Sequence, residues 1–131
     1  MDVKIKSFNE KNIKATDLMK LYSNADWWEE RSDEEIDNML SSVISVGAWK
    51  DDVLVGFSRA VTDGKFRAYI EDVVVHKEFQ HSGIGFKLVS NLLDKLSHID
   101  VISLFCEEEL IPFYAKNKFK YSKSQFVMHR K

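Results

Sequence analysis

A loop that contains two glycines, Gln80-His81-Ser82-Gly83-Ile84-Gly85, is the first segment of this sequence with recognisable chemical potential. It follows the apolar run Val73-Val74-Val75 and leads into a segment with helical periodicity. Glycines let main-chain amides approach a ligand closely, and the start of a helix carries partial positive charge. The loop therefore predicts a phosphate or pyrophosphate site. The alternative interpretation is that the glycines only cap a helix or allow close packing.

Two other glycine motifs do not fit this loop. The dinucleotide fingerprint needs three spaced glycines after the first strand of a doubly wound sheet, whereas this loop has two and follows the fourth predicted strand. The nucleotide-triphosphate loop needs Gly-Lys-Ser/Thr, which the segment lacks. Both of these nucleotide-binding classes are therefore excluded.

The elements that must position this loop are short and regular. A strand near Val3 to Phe8 precedes two helices, and a capping-box pattern from Ser32 to Glu35 begins the second helix. Three strands of an antiparallel meander follow: Val46 to Lys50, Val53 to Val61 and Phe66 to His76. The triple-valine end of the third strand is expected to be buried on both faces.

The chain after the loop predicts a crossover. An amphipathic helix from Gly85 leads to an apolar strand, Val101 to Phe105, which the β-helix-β context makes parallel to the triple-valine strand. A short helix near Pro112 and a closing hairpin of 119–121 with 126–129 complete the order. The prediction is an α+β protein with β-α-α-β-β-β-α-β-α-β order, a mostly antiparallel sheet and one parallel crossover, in a single domain over residues 1–131.

Composition narrows the function classes. Lysine plus arginine number 19 and aspartate plus glutamate 21, a net charge of −2 that argues against a nucleic-acid binder. The apolar runs are far shorter than a membrane span, which argues against a membrane partner. The single cysteine, Cys106, suits a reducing compartment, and the expectation is a cytoplasmic protein. The sequence leaves a monomer or a homodimer open.

Two motifs together resemble the GNAT superfamily of N-acetyltransferases. One is Gln80-x-x-Gly83-x-Gly85 after the triple valine, and the other is Phe113-Tyr114-Ala115-Lys116-Asn117-Lys118-Phe119 after the next strand. The resemblance covers essentially the whole chain. The stretch from Val55 to Asp63, with Asp72-Val73-Val74-Val75, is most similar to the small branch that includes plant-type serotonin and arylalkylamine N-acetyltransferases.

The resemblance implies a binding mode for acetyl-CoA as co-substrate. The cofactor would lie in a split between the strands that end at Val75 and Phe105, its pantetheine paired with main-chain groups of Val73 and Val75. The residues implied in cofactor binding are Val73, Val74, Val75, Gln80, His81, Ser82, Gly83, Ile84, Gly85, Phe86 and Asn117.

Tyr114 matches the tyrosine that commonly protonates the departing thiolate. Residue type and spacing alone favour a different interpretation, a core aromatic with its hydroxyl at the rim. Two positions depart from the family pattern: Glu107 stands where many members have asparagine, and Lys118 where many have glycine. Asn117 is then expected to take the left-handed turn.

Acetyl transfer to an amine also needs a proton acceptor and a group that polarises the thioester carbonyl. Glu71 or Asp72 is expected to accept the proton, and strand alternation predicts that only one of them faces the cleft. Asp72 matches the family better. The competing reading is that each carboxylate pairs with Lys65 or Arg67 on an exposed face.

A backbone amide near Val74 or Val75 is the expected oxyanion donor. A covalent route through Cys106 is disfavoured because no histidine is paired with it in sequence. The four histidines show no metal-ligand spacing, so no metal is expected: His76, His81, His98 and His129.

Tyr22, Trp27 and Trp28 lie where the resemblance places the wall of the acceptor site. Exposed aromatic rings there would stack on an aromatic amine or attract an ammonium group, and the alternative is that they pack against the sheet. The leading function is transfer of acetyl from acetyl-CoA to a small-molecule primary amine by direct attack in a ternary complex. The alternatives are a protein lysine or N-terminal acetyltransferase and a non-catalytic acyl-CoA-binding regulatory module.

Overall fold

Five strands form one sheet, and their order across the sheet is their order along the chain. The computed structural model describes residues 2–28 and 30–130. The strands are β1 (Val3–Ser7), β2 (Ile44–Lys50), β3 (Val53–Thr62), β4 (Arg67–Val75) and β5 (Val101–Leu104), and the helices are α1 (Ala15–Asn24), α2 (Asp33–Ser42), α3 (Ile84–Lys95) and α4 (Ile111–Ala115). None of the helices in this described part is long and apolar enough to span a bilayer.

The sheet lies between two helical layers. Helices α1 and α2 bury Leu18, Leu21 and Ile36 against Phe57 on one face, and α3 buries Leu88 on the other face. The capping box predicted for α2 is present, because the Ser32 side chain accepts from the Glu35 amide while Glu35 accepts from the Ser32 amide. The apolar periodicity of each helix thus fixes which of its faces meets the sheet.

The parallel crossover opens one end of the sheet. Strand β5 pairs with β4 only from Arg67 opposite Val101 to Ile70 opposite Leu104. Strand β4 then continues for five more residues, to Val75, without a partner on that side. The predicted split between these strands is therefore present, and it begins directly after Ile70.

A β-bulge interrupts strand β4 where the split begins. Phe57 on β3 pairs with Val74, whereas Arg59 pairs with Glu71, so two β4 residues lie opposite Ser58. Asp72 has φ 55°, the left-handed region that an aspartate seldom adopts. Because of the extra residue, the alternation of β4 side chains between the two faces of the sheet is out of step before and after the bulge.

Two sequence predictions about the strands are wrong. The triple valine is not buried on both faces: Val74 is buried, but Val73 and Val75 are half-buried because their face borders an open groove. The closing hairpin is absent as well, since residues 119–130 form no strand and Phe126 and Met128 are 84% and 91% exposed. Alternating residues become a strand only when a neighbouring backbone pairs with them, and local pattern carries no information on that partner.

Candidate active site

A groove of about 580 Å³ lies where β4, the glycine loop, the start of α3 and α4 converge. The residues that line it are Val73, Val75, Phe79, Gln80, His81, Gly83, Ile84, Gly85, Phe86, Leu110, Phe113, Tyr114 and Lys116. Both motifs singled out in the sequence therefore meet in one cavity, although about 30 residues separate them along the chain.

Gly83 is the residue that turns the chain into α3. It occupies the N-cap position with φ 85°, and the space where a Cβ would stand is empty to 4 Å. Only glycine adopts this conformation without strain. The first amides of the 12-residue helix have no partner within the helix, and Ile84, Gly85 and Phe86 line the groove, so this helix start suits an anion.

Gly85 serves a different purpose, the packing of α3 against α4. A Cβ at this position would lie 3.1 Å from Cζ of Phe113. The missing side chain lets the Phe113 ring reach the helix, and the next residue along α4 is Tyr114. The second glycine of the motif thus places the tyrosine at the groove.

The free edge of β4 presents Val75 to the groove. The His76 amide donates to the Val55 carbonyl on β3 at 2.8 Å. Because hydrogen-bonded and non-bonded pairs alternate in an antiparallel ladder, Val74 bonds to β3 and the main-chain groups of Val75 face away from it. The Gln80 side chain occupies part of this edge, since its amide donates to the Val75 carbonyl at 3.1 Å.

This arrangement separates the predicted cofactor residues into two sets. Val74 points into the core rather than into the groove, and the amide suited to polarise a carbonyl is that of Val75. Ser82 also does not line the groove; its hydroxyl donates to the Phe79 carbonyl. The remaining predicted residues other than Asn117 all line it.

Asn117 secures the end of α4 instead of lining the groove. Its side chain contacts Ser90 Oγ at 2.8 Å and the Phe86 carbonyl at 3.4 Å, both on α3. The expected left-handed turn falls on Lys118, with φ 69°, and not on Asn117. Asn117 has no positive φ, and its side chain bonds to α3. The left-handed conformation is therefore adopted by Lys118, the position where the family pattern has glycine.

Tyr114 is half-buried in the groove wall. Its ring meets those of Phe113 and Phe119 edge-on, at centroid distances of 4.8 and 6.2 Å. Burial, with a smaller contribution from Cys106, raises the pKa of Tyr114 to about 12. The phenol therefore keeps its proton at neutral pH, which is the state needed to donate to a sulfur atom.

Asp72 lies in a buried ion cluster. Its Oδ2 accepts a hydrogen bond from Tyr22 at 2.9 Å and one from Arg59 Nε at 2.8 Å, and Arg31 lies 3.7 Å away. Burial and these contacts leave this oxygen little access to other groups. It is poorly placed to take a proton from a substrate.

Glu71 shares the guanidinium of Arg59 but remains accessible. Its Oε2 accepts from Arg59 Nη2 at 2.9 Å. The bulge suspends the strand alternation behind the prediction that only one of Glu71 and Asp72 faces the cleft: both carboxylates contact Arg59, and neither lines the groove. The exposed pairing with Lys65 or Arg67 is likewise replaced by Arg59.

The three aromatic residues expected at the acceptor wall lie in different surroundings. Tyr22 is fully buried: its ring lies 6.4 Å from those of both Trp27 and Phe57, so it offers no surface to an acceptor in this structure. Burial and the neighbouring Asp72 raise its pKa. Trp27 is partly buried against the same core, because an apolar ring gains more free energy there than in water.

Trp28 is the exposed member, with 36% of its surface accessible. The Arg31 guanidinium carbon lies 3.8 Å from the centroid of its ring. The ring thus already holds a cation of the chain itself, which is the interaction expected for an ammonium group.

Sequence reasoning missed four groove residues and the cation of the ion cluster. Phe79, Leu110, Phe113 and Lys116 line the groove. Phe113 and Lys116 belong to the second motif, and Phe79 and Leu110 lie close to the two motifs in the chain, so the available signal was proximity to the motifs. Arg59 gave no such signal, because only the bulge brings two carboxylates to it. Within residues 2–28 and 30–130, no cluster of three or more His, Cys, Asp or Glu side chains could hold a metal ion.

Comparison with known proteins agrees with this geometry. A Staphylococcus aureus protein of unknown function, described as a probable acetyltransferase, has the same fold with a TM-score of 0.85 and 21% identity over 99% of each chain. A predicted acetyltransferase from Clostridium acetobutylicum, solved with acetyl-CoA, superposes with a TM-score of 0.70 and 13% identity over 98% of this chain and 96% of that one.

Sequence relatives extend the agreement. An uncharacterized N-acetyltransferase, ycf52, of Porphyra purpurea is 37% identical over 118 residues, which are 85% of this chain and 67% of that protein. The sequence profile of the Acetyltransferase (GNAT) family matches residues 11–119, a range that includes the bulge, the glycine loop and α4. On this evidence the chain belongs to the GNAT family of acetyltransferases.

Proposed function

We propose that this acetyltransferase moves the acetyl group of acetyl-CoA to the primary amine of a small molecule, by direct attack within a ternary complex. One observation carries the proposal: the glycine loop, the free β4 edge and Tyr114 line the same groove. Such a groove offers helix-start amides to a diphosphate, a strand edge to an amide-containing arm and a proton donor to a thiolate.

The residues present fit acetyl-CoA. Gly83 leaves an open cradle before the α3 amides, and His81 and Lys116 border it with polar or basic groups. The Val75 main chain faces the groove, where an extended arm would add to the strand once the Gln80 side chain gives way. Acetyl-CoA supplies the activated acetyl thioester.

Glu71 and Tyr114 have the complementary properties that the transfer needs. The amine nitrogen forms a bond to the acetyl carbon while the carbon–sulfur bond breaks; the nitrogen gives one proton to the base, and the sulfur receives one from the acid. We assign the base to Glu71, since Asp72 is buried and already accepts two hydrogen bonds. Tyr114 is the acid, because its raised pKa keeps the phenol protonated.

The acceptor is proposed to be a small cationic or aromatic amine. Trp28 is the exposed ring on the α1 side of β4, and its present partner is the guanidinium of Arg31. The alternative acceptor is a protein lysine or N-terminal amine. The alternative to catalysis is a non-catalytic module that binds acyl-CoA and regulates a partner. The single, exposed Cys106 fits a reducing compartment such as the cytoplasm.

Thiol release from acetyl-CoA, measured against a panel of amines, tests the proposal. Spermidine, tryptamine, serotonin, an aminoglycoside and a lysine-containing peptide represent the competing acceptor classes. Turnover with a small amine is the expected result. Turnover with the peptide alone would reassign the acceptor, and tight acetyl-CoA binding without turnover would indicate a sensor.

A further inference from the structure

We propose that Arg59 is a positioning residue for the transfer: anchored on buried Asp72, its guanidinium fixes the Glu71 carboxylate where the split between β4 and β5 begins. This inference rests on the proposed function of Glu71 as the proton acceptor. It assigns a role to a strand residue that lies outside both motifs and outside the groove lining.

One carboxylate of the ion cluster is buried and the other is accessible to solvent. Arg59 Nε lies 2.8 Å from Asp72 Oδ2, and Arg59 Nη2 lies 2.9 Å from Glu71 Oε2. The side chains of Arg59 and Asp72 are 9% and 3% exposed, whereas that of Glu71 is 30% exposed. The planar guanidinium therefore links a buried carboxylate to an accessible one in a single geometry, which a flexible ammonium does not reproduce.

The backbone conformation of β4 brings both carboxylates to this guanidinium. Consecutive residues on a regular strand point to opposite faces, so Glu71 and Asp72 reach the same cation only because Asp72 adopts φ 55° at the bulge. A non-glycine residue in this region costs free energy, and the surrounding contacts must compensate for it. The same bulge coincides with the end of β5 pairing, so Glu71 is the first β4 residue beyond the last pair with β5.

The anchor is secured from a second side. Tyr22 on α1 donates to Asp72 at 2.9 Å, and Arg31 approaches the same oxygen to 3.7 Å. Burial lowers the pKa of Arg59, but its hydrogen bond to Asp72 and the charges of Asp72 and Glu71 outweigh that effect and raise it. The charged and titratable groups near Glu71 are Arg59 on β3 and Tyr69 and Asp72 on β4, while Tyr22 on α1 and Arg31 before α2 contact Asp72.

The test is Arg59→Lys, with steady-state kinetics across pH and calorimetry of acetyl-CoA binding. A lysine keeps the charge beside Asp72 but does not also bridge to Glu71. We expect kcat to fall about tenfold or more with acetyl-CoA affinity unchanged within about twofold. The acid limb of the kcat/KM profile should also differ from that of the parent, because Glu71 no longer accepts the hydrogen bond from Arg59.

Three comparisons keep this test decisive. Tyr22→Phe removes a contact to Asp72 but none to Glu71, so its acid limb should stay where the parent has it. If Glu71→Gln leaves the acid limb in place, the base assignment fails, and the inference about Arg59 fails with it. If Glu71→Gln abolishes the limb while Arg59→Lys keeps the parent kcat and profile, only the role of Arg59 is overturned.

A variant that does not fold would also be informative. The pair Arg59→Gln with Asp72→Asn removes the buried cation and anion together, and it should show the same kinetic loss as Arg59→Lys. If circular dichroism shows that neither variant folds, Arg59 stabilises the sheet rather than positioning Glu71, and the proposal is wrong.

Discussion

Strand β4 borders two regions that differ in how they are built. On the side of α3, the groove uses main-chain groups, two glycines and apolar side chains, with Tyr114 at its wall. On the side of α1, the ion cluster of Glu71, Asp72, Arg59 and Tyr22 depends on three specific hydrogen bonds between side chains. The first region should tolerate many conservative changes, whereas the second should respond to the loss of a single polar atom.

We expect the largest loss of cofactor binding when the open space at Gly83 is filled by a side chain. Gly83→Glu places a negative side chain before the α3 amides, and we expect acetyl-CoA affinity to fall by at least about a hundredfold, because several charge-assisted hydrogen bonds are lost. Calorimetry measures the affinity and circular dichroism the fold.

Gly64→Glu is the matched control for this change. Gly64 also has a positive φ, 86°, and open space around an added Cβ, but it lies in the turn between β3 and β4, away from the groove. Both variants therefore carry the same strain and charge. Equal affinities for acetyl-CoA in the two would show that the loop at Gly83 does not hold the diphosphate.

The ion cluster is broken most selectively at its accessible end. Glu71→Gln should lower kcat about a hundredfold with little change in thermal stability, because a half-exposed carboxylate is replaced by an isosteric amide. Asp72→Asn should instead lower the melting temperature, since a neutral amide weakens the contacts of a buried carboxylate to Arg59 and Tyr22. The opposite assignment of the two effects would identify Asp72 as the base.

Tyr114→Phe sharpens the comparison inside the groove. We expect kcat to fall about tenfold while KM changes little, because only the proton donor is removed. Since the pKa of Tyr114 is raised to about 12, ionisation of this phenol should cause no loss of activity below about pH 11. Tyr121→Phe, an exposed tyrosine outside the groove, should have the kinetics of the parent; a Tyr114→Phe enzyme with those same kinetics would leave the acid unassigned.

Trp28→Ala should have a smaller effect, a rise of about two- to fivefold in KM for a cationic amine, which corresponds to one exposed cation–π contact. Phe66→Ala removes another exposed ring, in the turn before β4, and should leave KM unchanged. A KM that does not respond to Trp28→Ala would remove this ring from the acceptor site.

Lys118→Gly should affect stability and not catalysis. Lys118 has φ 69°, so glycine there should raise the free energy of unfolding by about 1 kcal/mol. Lys120→Gly, at a position without a positive φ, should give no such gain in a thermal melt. A gain from both substitutions would show that the turn at Lys118 carries no strain.

Much of the groove could be predicted from the sequence because its determinants are local. The glycines Gly83 and Gly85 indicated an anion site by themselves, and the family resemblance of the motif around Tyr114 added the tyrosine; the structure brings all three to one cavity. The sequence did not show that Tyr22 and Val74 are buried, and it predicted a closing hairpin that is absent from residues 119–130, because burial and strand pairing depend on distant chain segments.

The sequence by itself determined the mixed α+β class, the crossover, the capping box at Ser32 and the glycine turn into α3, since each follows from residue type and short-range periodicity. Only the tertiary structure decided that Glu71 and Asp72 face the same guanidinium. The pairing of β3 with β4 inserts one extra residue at Asp72, and that insertion reverses the facing that alternation alone assigns.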